Sequence, residues 1–182
     1  MKASIIDYDL DHAKEVGLRL RRGEVGILPT DTIYGISAAV GEEGAERIFQ
    51  MKNRPESKHL IVLMTMSQLT ESHLHIPSGL AERWPAPFTA ILRSCDDCST
   101  VAVRIPDDDF LLSVMEHSGP IYSTSANLSG FPALNDFDGI VRTFGESADF
   151  IVRSSGRAGV SSTLIDATKE PYTVIRQGSY HF

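Results

Sequence analysis

Hydrophobic and polar positions repeat along the chain with two periods, which predict a mixture of helices and strands. Apolar residues spaced by three or four predict helices over 9–23, 42–52, 108–117 and 137–144. Shorter apolar patterns predict short helices over 67–74 and 79–84, and strands over 25–28, 60–64, 89–93, 101–105, 121–126, 150–153, 163–166 and 173–176. Because the last strands lack connections long enough for a helix, we expect an α/β or α+β domain with a mixed sheet and flanking helices.

Composition adds limits on the class of protein. The chain has 182 residues, of which 42% are hydrophobic and 23% charged, as in ordinary soluble globular proteins. No segment approaches the roughly 18 apolar residues of a membrane span, so we expect a cytoplasmic protein. A net charge of −7 weighs against a surface that coats nucleic acid. The 12 arginines against 5 lysines favour local recognition of anions, because a guanidinium fork matches carboxylates and phosphates.

Common nucleotide and metal motifs are missing from the sequence. It contains neither a P-loop nor a Gly-x-Gly-x-x-Gly after a strand, so any nucleotide must be held by other means. Cys95 and Cys98 lack the second cysteine pair that a structural zinc site needs, and His73 and His75 lack matched ligands nearby. We interpret these as loop thiols and solvated histidines, with a redox pair or half of an intermolecular metal site as the alternative for the cysteines.

Two polar segments follow predicted apolar elements. Residues 29–35 place Thr30, Asp31 and Thr32 directly after a strand, where open α/β sheets usually bind ligands; alternatively Thr30 and Asp31 complete a turn. Lys52 continues the apolar face of the second helix, which predicts that it faces a cleft or an anion. Alternatively, Lys52 and Arg54 interact with the negative end of the helix dipole.

A third polar segment covers residues 122–130. Because side chains alternate along a strand, Ser123, Ser125 and Asn127 are predicted to share one face. This row could form a hydrogen-bonding shelf for a polar ligand or the solvated face of an edge strand.

Taken together, seven blocks of the sequence closely resemble the threonylcarbamoyl-AMP synthase family, also called TsaC, YrdC or Sua5 proteins. The blocks are residues 29–35, 52–55, 84–89, 101–106, 125–130, 162–163 and 175–178. They occur in the order of the family and span nearly the whole chain. The length resembles the short type of the family, so we expect residues 1–182 to form a single YrdC-like domain.

The resemblance implies a fold and an enzymatic activity. The fold would be a twisted mixed sheet with flanking helices around a cationic cavity. The activity would be that of an L-threonylcarbamoyladenylate synthase, a nucleotidyltransferase that forms threonylcarbamoyl-AMP and pyrophosphate from L-threonine, bicarbonate and ATP for the t6A modification of tRNA. Mg²⁺ bound with ATP would be the cofactor, and tRNA and the t6A transferase machinery would be the partners.

The resemblance also assigns site residues. The catalytic signature falls on Lys52, Arg54, Ser125 and Asn127. ATP contacts fall on Arg54, Thr100, Ser123, Ser125, Ala133 and Arg176. Threonine contacts fall on Thr32, Arg104 and Thr163, and no protein metal ligand is expected.

Some positions depart from the family pattern. Leu63 occupies the place of a histidine that touches threonine in longer members, and Lys58-His-Leu60 replaces Asn-Pro-Leu. Ser123-Thr124 replaces a common Ala-Pro, and Ala86 replaces a usual glycine. Two alternatives therefore stay open: an RNA-binding module of the same fold, and a paralogue that makes another carbamoyl or acyl adenylate.

Overall fold

The computed structural model describes residues 2–53, 60–155 and 159–182. The strands in these ranges are β1 (Ser4–Asp7), β2 (Gly26–Leu28), β3 (Gly35–Ala39), β4 (Ile61–Leu63), β5 (Leu74–His75), β6 (Phe88–Ser94), β7 (Thr100–Arg104), β8 (Ile121–Ser125), β9 (Phe150–Arg153), β10 (Thr163–Asp166) and β11 (Thr173–Arg176). The helices are α1 (Leu10–Arg21), α2 (Glu42–Lys52), α3 (Met66–Glu71), α4 (Asp109–Ser118) and α5 (Phe137–Phe144). None of the helices described here is long and apolar enough to cross a bilayer.

The strands form one mixed sheet. Their order is β1-β9-β2-β3-β8-β4-β7-β6-β10-β11, and β5 pairs with β6. The pairs β1–β9, β2–β9, β4–β7 and β6–β10 are parallel, and the remaining pairs are antiparallel. The mixed α/β class predicted from the sequence is therefore confirmed.

Apolar clusters cover both faces of the sheet. On one face, α1 and α4 pack together over β1, β2, β4, β8 and β9, with Leu20 and Val114 fully buried between them. On the other face, two clusters lie side by side: one holds α2 and α5, the other holds α3 and the segment before β6, and Tyr122 contacts both. No described residue of β6, β7, β10 or β11 belongs to the α1/α4 cluster, so the two helices leave these strands uncovered on their face.

Short polar side chains fix where the helices begin. Asp9 accepts a hydrogen bond from the backbone of Asp11 at the start of α1, and Asp108 accepts one from Leu111 N at the start of α4. Asp136 does the same for α5. These bonds satisfy backbone donors that the first helical turn leaves open.

Three strands, β1, β3 and β5, were not predicted, and two predicted helices are wrong or short. β3 consists of Gly, Ile, Ser and Ala and is buried on both faces, so it shows no alternation of apolar and polar residues. β1 is an edge strand with three exposed residues. The predicted helix over 79–84 is a 3₁₀ turn, Ala81–Arg83, and the one over 67–74 stops at Glu71 because the next residues pair with β6 as β5.

Candidate active site

A cavity of about 430 Å³ lies on the α1/α4 face of the sheet. Seven adjacent strands, β3, β8, β4, β7, β6, β10 and β11, contribute residues to its wall, together with the loop before β3. Polar groups on this wall include those of Thr30, Thr32, Arg104, Ser123, Ser162 and Arg176. The cavity thus brings together segments that are far apart in sequence.

Arg104, the last residue of β7, carries a buried positive charge to this wall. The residue is 5% exposed, and Nη1 donates to Thr32 Oγ1 at 2.8 Å. Thr32 Oγ1 lies 3.0 Å from Thr30 Oγ1, which donates to the carbonyl of Ile33 at 2.7 Å. Since the Thr30 proton is used there, the Thr32 hydroxyl donates to Thr30. Thr32 therefore keeps one lone pair that can accept a hydrogen bond from a ligand.

Asp31 faces the same guanidinium. Its Oδ1 lies 3.1 Å from Arg104 Nη2, and the two side chains are 7% and 6% exposed. Burial raises the pKa of the Asp31 carboxyl, although the charge of Arg104 opposes that shift. Burial lowers the pKa of the Arg104 guanidinium, with Asp31 acting in the other direction. Among the described residues, neither Asp31 Oδ1 nor Arg104 Nε has a hydrogen-bond partner.

Lys52, Ser125 and Asn127 form a hydrogen-bonded network beside the cavity. Lys52 is 2% exposed, and its Nζ donates to the carbonyls of Ser125 and Asn127 and, at 2.8 Å, to Asn127 Oδ1. Ser125 Oγ donates to the same Oδ1 at 2.5 Å. Asn127 Nδ2 donates to the carbonyls of Leu128 and Phe131. These bonds fix the loop after β8, and of the three residues Ser125 lines the cavity.

Ser123 also lines the cavity, one pleat away from Ser125 on β8. Its hydroxyl occupies the space that a Cβ on Gly35 of the neighbouring strand would need. Gly35 therefore allows β3 and the Ser123 side chain to approach closely. As alternation predicted, Ser123 and Ser125 share one face, whereas Asn127 lies beyond the end of the strand.

Thr163, which was predicted as a threonine contact, is not among the residues that line the cavity. Its hydroxyl donates to the carbonyl of Tyr180 at 2.6 Å and accepts from Gly178 N at 2.9 Å, so it holds the C-terminal segment. Because side chains alternate along β10, Ser162 and Leu164 line the cavity and Thr163 points to the other face. Ser162 is thus a cavity residue that sequence reasoning missed, although the alternation of the predicted strand 163–166 contained that signal.

Arg176 of β11 also lines the cavity, and its charge contributes to lowering the pKa of Arg104. Arg176 Nη2 donates to the carbonyl of Ser162 at 2.9 Å, and Nε does so at 3.2 Å. Ser162 Oγ in turn lies 2.9 Å from Thr89 Oγ1. This anchoring leaves the guanidinium at the cavity wall, where it adds a second positive charge.

Two of the remaining predicted ATP contacts, Thr100 and Ala133, are not among the residues that line the cavity. Thr100 begins β7 on the strand face that also carries Ala102 and Arg104. Ala133 lies in the loop after β8, where Leu134 N donates to the carbonyl of Ala126 at 2.8 Å. Arg54, assigned to catalysis and to ATP, lies outside the described residues. The roles assigned to Arg54, Thr100 and Ala133 stay predictions.

The other candidate chemistry lies at the tip of the β6–β7 hairpin. Cys95 and Cys98 are exposed free thiols, and His73 forms an exposed ion pair with Asp96 at 3.1 Å. Within residues 2–53, 60–155 and 159–182, no three His, Cys, Asp or Glu residues cluster as a metal site would require. We therefore take the cavity as the candidate site.

The mixed sheet of this α/β protein carries two arginines and several hydroxyl groups to one cavity, an arrangement whose chemistry suits anionic ligands. The sequence model of the Sua5/YciO/YrdC family, which carries the description "Telomere recombination", matches residues 19–178. The chain belongs to the Sua5/YciO/YrdC family, as the resemblance of its sequence blocks predicted.

Curated relatives carry the name threonylcarbamoyl-AMP synthase. The chain is 35% identical to the Pyrococcus abyssi protein over 175 residues, which cover 87% of this chain and 52% of the relative. It is 32% identical to the Bacillus subtilis protein over 176 residues, covering 87% and 51%. Against the Vibrio parahaemolyticus protein it is 29% identical over 189 residues, covering 93% and 100%. The chain thus spans about half the length of the first two relatives and the full length of the third.

Solved structures share the fold. The crystal structure of P. abyssi Sua5 complexed with L-threonine superposes with a TM-score of 0.86 at 30% identity, covering 98% of this chain and 58% of that one. Escherichia coli YciO gives a TM-score of 0.83 at 20% identity, covering 99% and 96%. The second likeness supports the fold alone.

Proposed function

We propose that this protein is an L-threonylcarbamoyladenylate synthase, which forms threonylcarbamoyl-AMP and pyrophosphate from L-threonine, bicarbonate and ATP for the t6A modification of tRNA. The observation that carries the proposal is the buried Arg104 beside Thr32, in a cavity that a second arginine also lines. The names of the curated relatives and the threonine complex of the P. abyssi protein support it.

Threonine would bind at the Arg104 end of the cavity. Its carboxylate would accept from N–H groups of the Arg104 guanidinium that Thr32 and Asp31 do not use. Its ammonium or hydroxyl group would donate to the remaining lone pair of Thr32 Oγ1. Leu63, which is fully buried and lines the cavity, would face the substrate with an apolar surface.

ATP would bind along the cavity wall between Ser125 on β8 and Arg176 on β11. Arg176 would face the phosphates, and Ser123 and Ser125 would orient their oxygens. Lys52 and Asn127 would act through the loop they hold. The described residues contain no acidic metal cluster, so Mg²⁺ would enter on the phosphates of ATP, as is usual for this ion.

The reaction joins several anions in one small space. The amine of threonine adds to carbon dioxide derived from bicarbonate and loses a proton, which gives a carbamate. A carbamate oxygen then attacks the α-phosphorus, the bond from that phosphorus to the β-phosphate oxygen breaks, and pyrophosphate leaves. Because like charges at about 4 Å in a poorly screened site repel by several kcal/mol, the arginines act by positioning and charge compensation.

We extend the proposal to the setting of the reaction. We place it in the cytoplasm with tRNA and the t6A transferase machinery as partners, and we propose that residues 1–182 act as one domain. The location and the partners follow from the proposed activity, since its product is consumed by the enzymes that modify tRNA.

The test incubates purified protein with Mg²⁺, ATP, bicarbonate and threonine, omits each in turn, and measures pyrophosphate and the mixed anhydride by mass spectrometry. We expect both products to require threonine and bicarbonate. Preference for another amino acid would favour a paralogue with a different adenylate. Steeply salt-dependent RNA binding without ATP turnover would favour the RNA-binding alternative.

Replacing Arg104 by alanine tests the threonine site. We expect the KM for threonine to rise at least about 100-fold, because a buried charged contact to the substrate carboxylate is lost, while the KM for ATP changes little. Arg47→Ala, which removes an arginine outside the cavity wall, is the matched control. An unchanged dependence on threonine concentration in Arg104→Ala would contradict the assignment.

A further inference from the structure

We propose that Asp31 is a positioning residue for the substrate carboxylate: it holds the guanidinium of Arg104 in place at the cavity wall. The inference rests on the proposed function, because it assigns a residue that supports the threonine end of that site. Nothing in the family resemblance assigned a role to Asp31.

The guanidinium of Arg104 contacts two polar side chains among the described residues. Nη1 is bonded to Thr32 Oγ1 at 2.8 Å, and Nη2 lies 3.1 Å from Asp31 Oδ1. A guanidinium has five N–H donors, so each terminal nitrogen keeps a second N–H, and Nε is buried without a hydrogen-bond partner in the described part of the chain. Asp31 and Thr32 thus hold the two terminal nitrogens and leave N–H donors of Arg104 for a ligand at the cavity wall.

Asp31 is the counter-charge that this arginine requires. A buried guanidinium without a nearby negative charge is strongly unfavourable. Among the described residues, Asp31 is the one carboxylate within ion-pair distance of Arg104. Asp108, the other nearby acid, accepts hydrogen bonds from the Tyr8 hydroxyl at 2.8 and 2.9 Å and from Leu111 N at 3.0 Å, so it is engaged at the start of α4.

A role in the local turn does not account for Asp31. The turn at 30–33 is closed by Thr30, whose Oγ1 donates to Ile33 O at 2.7 Å and accepts from Thr32 N at 3.2 Å. The Asp31 carboxylate has one hydrogen bond in the described residues, a long one of 3.4 Å from Asp107 N. Its Oδ1, which faces Arg104, has none. Asp31 is therefore a buried acid whose one close charge contact is the arginine of the cavity.

The first experiment uses Asp31→Asn, which keeps the size of the side chain and removes its charge. We expect the KM for threonine, and its Kd in calorimetry with protein alone, to rise about 10- to 100-fold. The kcat at saturating threonine and the KM for ATP should change less than about threefold, because the substituted side chain lies at the threonine end of the site, away from the nucleotide. A purely structural role would instead lower the melting temperature and impair both substrates.

Asp149→Asn is the matched control. Asp149 is a partly buried carboxylate paired with Arg47 at 2.7 Å, and neither residue lines the cavity. We expect its substitution to leave threonine binding unchanged.

The second experiment asks whether Asp31 acts through Arg104. In an Arg104→Ala background, Asp31→Asn should change the affinity for threonine by less than about twofold, because the group that Asp31 positions is gone. An effect as large as in the wild-type background would overturn the inference.

The outcomes separate this inference from the proposed function. If the wild type binds and uses threonine while Asp31→Asn binds it equally well or more tightly, Asp31 has no positioning role and the function stands. If the wild type neither binds threonine nor releases pyrophosphate in its presence, the proposed function fails and the inference fails with it.

Discussion

The side chain of Lys52 holds the loop that follows β8. Among the described residues, its ammonium group reaches two backbone carbonyls and the Asn127 side chain. The sequence predicted that Lys52 turns from the helix toward a cleft or an anion. The structure buries it, on the apolar side as predicted, where it fixes these oxygens in place.

Lys52→Met should lower both stability and activity. Methionine keeps most of the apolar stem but leaves buried acceptors unpaired, so we expect a loss of about 2–4 kcal/mol in the free energy of unfolding. With the loop at Ser125 no longer fixed, turnover should fall at least about 100-fold. Urea unfolding and pyrophosphate release measure the two effects.

Lys14→Met is the control, because Lys14 is exposed on α1. An unfolding curve of Lys52→Met that overlays that of the wild type would show that the network does not stabilise the loop.

Single residues of the site could be predicted to different degrees. Ser123 and Ser125 followed from the alternation of a strand, and Arg104 and Thr32 followed from the family resemblance. The contact of Asp31 with Arg104 could not be predicted, because the two residues lie on different elements far apart in sequence. A local pattern gives the face of a strand but not the side chain that a distant element brings against it.

At the scale of elements, α1 and α4 pack so closely that one helix needs a glycine. A Cβ on Gly17 of α1 would lie 2.7 Å from His117 Cβ and 2.5 Å from the carbonyl of Val114 on α4. The glycine costs helix propensity, and the close packing of the two helices offsets that cost.

Gly17→Ala should destabilise the protein. The added methyl group meets backbone that cannot rotate away, so we expect a loss of about 1–3 kcal/mol, after the small gain in helix propensity. Chemical denaturation with circular dichroism detection measures it. Glu15→Ala, an exposed position on the same helix, controls for propensity. Equal or greater stability of Gly17→Ala would mean that the two helices shift apart without cost.

Elements with a strong period could be predicted, and those without one could not. Helices α1, α2, α4 and α5 carry apolar residues at helical spacing and appear where expected. β3 was missed because its small residues are buried on both faces and resemble a loop. This strand nevertheless forms part of the cavity wall, through Gly35.

At the scale of the whole molecule, acids in different settings give opposite contributions to the pH dependence of stability. Burial alone would raise the pKa of Asp149, but hydrogen bonds from Arg47 and Val25 N and the charge of Arg19 outweigh it and lower the pKa. The contribution of Asp149 is therefore present above its unfolded pKa and is lost as the pH falls through its folded pKa. Asp31, with a raised pKa, contributes in the opposite direction: stability is lost as the pH rises through that pKa.

Asp149→Asn should lower the melting temperature at neutral pH. In acid, its melting temperature should approach that of the wild type. The difference from the wild type should begin to shrink as the pH falls below about 4, where the carboxylate of the unfolded chain becomes protonated, and should disappear as the pH falls through the lower pKa of the native carboxylate. Differential scanning calorimetry across pH measures it, with Glu116→Gln on the exposed side of α4 as the control. A deficit that stays constant across the range would rule out the ion pair as its source.

The class of fold could be predicted from the sequence, but the strand order could not. The periods along the chain indicate which segments are strands, whereas the order depends on pairings such as β9 between β1 and β2, and β10 beside β6. These pairings join segments that no local pattern relates. The shape of the cavity follows from that order, so it also lay beyond the sequence.

The place of β9 between β1 and β2 has a consequence for folding during synthesis on the ribosome. Among the described strands, β1 pairs with β9 alone, so it has no strand to pair with until the chain up to Arg153 has been synthesised. Contacts across such long loops form slowly, because their closure entropy must be overcome first. The wall formed by β10 and β11 is synthesised after β9, so the cavity can form only after this long-range pairing has become possible.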